Sequence, residues 1–342
     1  MILRHRPMQA GDIRECVDIV AHHSVIGPRY GSATELLPEA WLRLLECEAH
    51  FATVILVEEG PHSRICFVGI SFAAHDEFVR EMKTSPQFWV GPELTRRVVN
   101  GDSPVLTGKQ LREANSGDGL NLAIWEGCIR PGYEIHSELH RFMMAVFIQA
   151  HRGYLWKEVI GSQIESADRL DFTLKAGGFL WDPVAAVYTS SPTLGKDSAQ
   201  IVANPHIVGI TRELELKRQH NWGGSWIGSL FDYRVPILGC SRSEQRLLSS
   251  ALLGPTDENL AEILETSLPA VKKMWVSIYR RVEDCLPELI PDPLGLPAAS
   301  RGKEKRRSLL AYLREHPEEL RPFSRRLSMQ AAAGAPPFDL RF

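Results

Sequence analysis

The stretch "SLPAVKKMWVSIYRR" (267–281) holds Lys272, Lys273, Arg280 and Arg281 with no acid among them. Val271, Trp275 and Ile278, with Val282 just beyond, fall on one helical stripe, and the basic residues lie off it. A helix of this kind buries one face and leaves positive charge on the other. Lysine reads guanine acceptors or neutralises phosphate, whereas Val276 offers only an apolar contact. Taken alone, the same pattern also describes an ordinary solvated helix, so its meaning depends on the elements around it.

Other side chains with chemical potential are scattered. Glu126 stands in a strand-like run, where it is either a base or, as strand carboxylates usually are, an exposed side chain. His136 and His140 are four apart with Glu138 between them, but the order is not HExxH and no third ligand is evident, so the expectation is that they hold no metal. Trp222 and Trp226 flank Gly223-Gly224 and suit either stacking on a ligand or packing. Six cysteines (16, 47, 66, 128, 240 and 285) contain no CxxC pair, which argues for reduced thiols and against a zinc site or a disulfide framework.

The 342 residues suffice for two domains with hydrophobic cores, and 44% hydrophobic with 24% charged residues is an ordinary globular balance. No apolar run reaches the length that spans a bilayer, and the first residues lack a secretory signal, so a cytoplasmic protein is expected, without a membrane partner. The net charge of −3 means that any polyanion would be held by local positive charge. Such charge gathers near the end, where nine Lys/Arg stand against four acids between Arg301 and Arg326.

Over the first 185 or so residues helical and strand periodicities alternate. "GDIRECVDIVAHH" and "LLPEAWLRLLECE" predict helices, and "FATVILVEE" (51–59) with "RICFVGISF" (64–72) predicts a hairpin. "GLNLAIWEGCI" (119–129) reads as a strand, "EIHSELHRFMMAVFIQAH" (134–151) as an apolar helix and "YLWKEVIGSQI" (154–164) as a strand. "ADRLDFTLKAGG" (167–178) reads as a helix stopped by glycine. Residues 80–118 show no clear element, and 186–238 reads as a connector in which "HIVGITRELELKRQ" holds one strand or helix and "NWGGSWIGSLFDYRVP" packs.

Three helices follow. Ser241 with Glu244 forms a capping box ahead of the first, which Gly254 ends. Thr256 caps "DENLAEILE", and Ser267, with Pro269 in the first turn, caps the basic helix. Two short helices joined by a tight turn have the shape of a helix-turn-helix. The run "SRSEQRLLSSALLGPTDENLAEILETSLPAVKKMWVSIYRRV" resembles the LuxR-type DNA-binding domain of bacterial transcription regulators, with Glu244, Leu248, Gly254, Leu260, Ala261, Leu264, Ser267, Val271, Lys272, Ile278 and Tyr279 at matching positions. The resemblance implies that Lys272, Lys273 and Val276 face base edges and that Arg280 and Arg281 reach phosphate. Thr256 and Ser267 could donate to phosphate from helix N-termini. Asp257, Glu258 and Met274 depart from the pattern, and over 241–284 six basic residues meet seven acids. The basic helix within 301–326 either supplies the missing attraction or packs back on the module.

The order of elements in 1–185 resembles the GNAT acyltransferase superfamily. There "RHRPMQAGDIRECVDIV" stands for the first strand and helix, "GLNLAIWEGCI" for the central strand and "RPGYEIHSELHRFMMAVFIQAHRG" for the cofactor helix. That family's turn, Arg/Gln-x-x-Gly-x-Gly/Ala, cradles the pyrophosphate of acetyl-CoA. Here Arg130-Pro131-Gly132-Tyr133-Glu134-Ile135 puts the glycine one place early and an acid where a phosphate should sit, and no tyrosine lies between Tyr154 and Tyr188 to serve as the family's acid.

These readings combine into an α+β chain: a GNAT-like mixed α/β domain (1–185), a connector (186–238), an all-α LuxR-type helix-turn-helix domain (239–290), a basic helix (300–327) and a disordered tail (328–342). The expectation is a transcription regulator binding double-stranded promoter DNA as a homodimer, with RNA polymerase as a further partner. Its N-terminal domain senses an unknown small molecule or dimerises, with no cofactor and no catalytic residues. The alternatives are an acyltransferase using acetyl-CoA and a protein-interaction scaffold.

Overall fold

A computed structural model of the chain describes residues 1–59, 62–84, 88–162, 177–189, 205–222, 225–289 and 298–324. The chain divides into two compact units, one of Met1–His151 with Leu155–Phe231 and one of Arg152–Tyr154 with Asp232–Phe342.

The first unit is mixed α/β around an eight-stranded sheet in the order β1-β2-β3-β4-β5-β8-β6-β7. Its strands are β1 (Ile2–Pro7), β2 (His50–Glu59), β3 (His62–Ala74), β4 (Leu120–Ile129), β5 (Trp156–Ser162), β6 (Phe179–Asp182), β7 (Val187–Thr189) and β8 (Ile207–Thr211). Every pair is antiparallel except β4 with β5. A parallel pair needs a crossover, and the apolar helix α7 (Ser137–His151) supplies it.

The earlier helices are α1 (Ile13–His22), α2 (Ile26–Tyr30), α3 (Leu37–Leu45), α4 (Asp76–Lys83), α5 (Val90–Val99) and α6 (Gly108–Asn115), and α8 (Arg212–Trp222) follows β8. Two of them, α5 and α6, and the end of α4 occupy the 80–118 region where no element was evident. They are short, at eight to ten residues, so each offers the periodicity of only about two to three turns. Residues 186–231, expected as a connector, instead add β7, β8 and α8 to this unit. The single strand or helix expected in "HIVGITRELELKRQ" is both, β8 followed by α8, whereas β7, of three residues, carries too few alternations to register. The helix expected at 167–178 and the tail at 328–342 lie outside the described residues, apart from 177 and 178.

Strand alternation decides which helices cover which face. Ile55 and Cys66 pack with Leu139 and Val146 of α7 on one side. On the other, the Cys128 thiol reaches the carbonyl of Ile19 in α1, and Glu126 meets Tyr30 of α2. The register of β3 and β4 slips between Ile70 and Ser71, leaving Trp125 as a bulge.

The second unit carries α9 (Arg242–Ala251), α10 (Asp257–Ile263), α11 (Leu268–Cys285) and α12 (Ala298–Glu315). Leu247, Leu248, Leu260, Val271, Trp275, Ile278, Val282, Leu309 and Leu313 share one core. Ser241 and Glu244 form the expected capping box, and Thr256 and Ser267 accept the N–H groups of Asn259 and Ala270. Gly254 takes the left-handed conformation that ends α9. Glu319, nearly fully buried, accepts the N–H groups of Ile237 and Leu238 at 2.8 and 3.0 Å, fastening the chain that enters the unit.

Candidate functional site

In the second unit, α10 and α11 are joined by Leu264–Ser267. The Thr266 N–H returns to the Ala261 carbonyl at 2.9 Å while Glu265 adopts φ +51°, a left-handed helix closure made without glycine. The tight turn orients α11 so that Val271, Trp275, Ile278 and Val282 are buried. Lys272, Lys273, Val276 and Arg280 are all exposed, Val276 at 60%. Residues 272, 276 and 280 are successive positions of one i, i+4 row, and Lys273 lies beside it. The structure thus gathers four of the seven expected DNA contacts on one solvent-facing stripe.

Arg281 departs from the expectation. It is half-buried, and its guanidinium donates to the Gly239 carbonyl and to Glu244, both at 3.3 Å. The reason is positional: residue 281 adjoins buried Val282 and lies over α9 rather than on the outer row. Thr256 and Ser267 are exposed, and their oxygens accept cap hydrogen bonds, while the Thr256 O–H donates to the Asn259 side-chain oxygen at 3.2 Å.

The acids that weighed against a polyanion partner are partly neutralised within the unit. Asp257 accepts from Arg306 of α12 at 2.8 Å and from the Trp275 indole at 3.2 Å, and the Arg306 guanidinium lies 4.6 Å from the Trp275 ring centre. Glu283 pairs with Lys305 at 2.7 Å. The basic helix packs back on the module: α12 buries Leu309 and Leu313 and pairs Lys305 and Arg306 with its acids, while Arg307 and Arg314 stay exposed. Glu258 remains exposed, and its carboxyl is held below the usual range by its own N–H, Thr256 and nearby Lys272.

In the first unit, a cavity of about 320 Å³ lies between α7 and the sheet. Phe51, Phe67, Met143, Met144, Phe147 and Trp226 contribute to its apolar lining, and Ser71 and His151 give it a polar corner. Ser71 Oγ and His151 Nε2 are 2.7 Å apart, and His151 Nδ1 is 2.7 Å from the Phe147 carbonyl. Since that carbonyl only accepts, Nδ1 carries the proton and the Ser71 hydroxyl donates to Nε2.

Glu126, which also lines this cavity, is not exposed. It is buried, and accepts from the Tyr30 hydroxyl at 2.8 Å and the Gly127 N–H at 3.1 Å. Burial and the adjoining carboxylate push the Tyr30 phenol far above its ordinary range. The position of Glu126 depends on α2, which its five residues concealed in the sequence. A second buried cluster escaped sequence reasoning for the same reason. Lys83 at the end of α4 pairs with Glu158 of β5 at 2.6 Å and lies 4.6 Å from the Trp181 ring, while Tyr188 donates to Glu158.

The turn before α7 has turned its donors inward. Gly132, at φ +96°, gives its N–H to the carboxylate of Glu134 at 2.7 Å. Arg130 donates to the Ile65 carbonyl and pairs with Glu15. His140 Nδ1 lies 3.0 Å from the His136 carbonyl, and no metal-binding group of His, Cys, Asp or Glu occurs among the described residues. No described helix is long and apolar enough to cross a membrane.

No family model and no curated protein matches the chain. Among solved structures, an uncharacterized protein from Bacillus halodurans is similar at 10% identity and a TM-score of 0.35, over 64% of this chain and 89% of that one. A putative arylalkylamine N-acetyltransferase 7 from the yellow fever mosquito is similar at 12% identity and the same TM-score, over 61% of this chain and 87% of that one. Likenesses this shallow assign this chain neither family nor activity.

Proposed function

We propose that the protein is a sequence-specific DNA-binding transcription regulator. Its C-terminal unit is a LuxR-type helix-turn-helix domain, and its α/β unit is a GNAT-like domain that senses a ligand or dimerises rather than transferring acyl groups. One observation carries the reading: Lys272, Lys273, Val276 and Arg280 form an exposed stripe on α11, directly after a capped helix and a tight turn. Presented to a major groove, the lysines would meet guanine acceptors or phosphates and Val276 a thymine methyl. Neutralisation of Asp257 by Arg306 supports the same reading, because it removes an unpaired acid from the approach.

The GNAT-like assignment is supported by the strand order, in which an antiparallel β1 to β4 meander is followed by the β4-α7-β5 parallel crossover. The loss of acyl transfer is supported by Glu134. Its carboxylate holds the Gly132 N–H that a pyrophosphate would need and sets negative charge at that place. Acetyl-CoA turnover by the purified protein would overturn this half of the proposal.

Selection from a random duplex pool tests the other half. The full chain is expected to enrich a defined sequence with inverted repeats, and K272A/K273A to enrich none. Enrichment of the same sequence by the double variant would contradict the assignment of α11.

A further inference from the structure

We infer that the cavity beneath α7 is a binding site for a neutral, largely aromatic small molecule that makes one polar contact, at the Ser71–His151 corner. It rests on the sensory half of the proposed function and gives that half a ligand class.

The sheet itself is built for an occupant. Gly69 of β3 pairs with Gly127 of β4, and Gly161 of β5 pairs with Ile124 of β4, which in turn pairs with Ser71. Alternation therefore puts all three glycines on the face that α7 covers. Glycine in a strand interior weakens the strand and marks a close approach of something else. Three of them on adjacent strands strip side chains from the floor, and a helix packed over a bare floor leaves a void. Some of that void is claimed by Phe67, whose ring lies 2.8 Å from where a Cβ of Gly69 would stand. At Gly127 a Cβ would meet nothing nearer than the same ring at 3.9 Å, so that part of the floor is open by sequence choice and not by steric need.

The roof is equally unusual. Only Leu139, Val146 and His151 of α7 are buried, whereas Phe142, Met143, Met144, Phe147 and Ile148 are half-buried. Methionines adapt to irregular partners, and aromatic rings favour planar ones at offset or edge-on geometry. No Lys or Arg occurs among the described lining residues, and the one carboxylate among them, Glu126, accepts from the Tyr30 hydroxyl and the Gly127 N–H. A carboxylate or phosphate would thus be desolvated without a counter-charge, which selects an uncharged ligand. At the polar corner, Ser71 Oγ keeps acceptor capacity after donating to His151, so a ligand hydroxyl or N–H has a partner there.

The test uses the full chain and the neutral fluorophore N-phenyl-1-naphthylamine, whose emission rises in apolar surroundings. One probe per chain is expected to bind, and Gly127→Val, which fills the floor, to weaken it more than tenfold. Ala150→Leu fills the same space from the helix side and keeps the experiment decisive where Gly127→Val disturbs the sheet. Neutral 1-naphthol is expected to displace the probe at a concentration at least tenfold lower than 1-naphthoate. Absence of binding by the wild type, wild-type affinity in both filled variants, or equal displacement by the anion would each overturn the inference. No DNA is present in the assay, so its failure leaves the assignment of α11 standing, and a failed DNA selection leaves the cavity standing.

Discussion

At the scale of single residues, Glu244 does more than cap α9. It accepts the Ser241 N–H at 2.7 Å and the Ser277 hydroxyl at 2.8 Å, and it faces the Arg281 guanidinium. Burial pushes its carboxyl up, but these donors outweigh burial and hold it below the usual carboxylate range. A carboxyl with a lower pKa folded than unfolded contributes stability that is complete above the ordinary range and is lost as pH falls through the folded value. Glu244→Ala is expected to cost about 2 kcal/mol at neutral pH, by the loss of a cap and the stranding of buried donors. Chemical denaturation at pH 7 and below pH 4 checks this: the gap between wild type and variant should narrow in acid. Glu265 offers the opposite sign. It sits at φ +51°, where a side chain is strained, so Glu265→Gly is expected to stabilise the unit by about 0.5–1 kcal/mol, read from the same denaturation curves.

At the scale of elements, the sequence was most legible where periodicity was long or caps were strong. The helices α9, α10 and α11 begin at Ser241, Thr256 and Ser267 as their side chains foretold, because a hydroxyl that satisfies a helix N-terminus needs no tertiary help. Strands β2, β3 and β4 were equally plain. What escaped was short or depended on distant partners: α4 to α6, the strand β7, and with them the burial of Glu126 by Tyr30 and of Glu158 by Lys83. The stripe on α11 could be read in advance, but the inward turn of Arg281 could not, since it depends on Gly239 and Glu244 being nearby in space. The packing of α12 was open in the sequence, and Leu309 and Leu313 provide it. Leu309→Ala in that helix is expected to cost about 2–4 kcal/mol by leaving a cavity in the core shared with α9 to α11. Hydrogen exchange should then accelerate across 242–285, and unchanged exchange there would show α12 to be dispensable.

At the scale of the whole molecule, a chain with a net charge of −3 has no general attraction for a polyanion. In the proposed function, affinity for DNA comes from exposed cations, among them Lys272, Lys273 and Arg280 on α11. The consequence is a shallow dependence on salt, with each phosphate contact adding about 0.9 to the slope of log affinity against log salt. Two copies on an inverted repeat would double the number of contacts and make occupancy depend on dimer formation. Fluorescence anisotropy of the full chain on its selected duplex, followed from low to physiological salt, measures affinity and slope together. For the wild type the account expects specific binding well above that for unrelated duplexes. For K272A/K273A it expects loss of that preference, with a slope smaller by about one for each lost phosphate contact. Equal affinity and equal slope for wild type and double variant would contradict it.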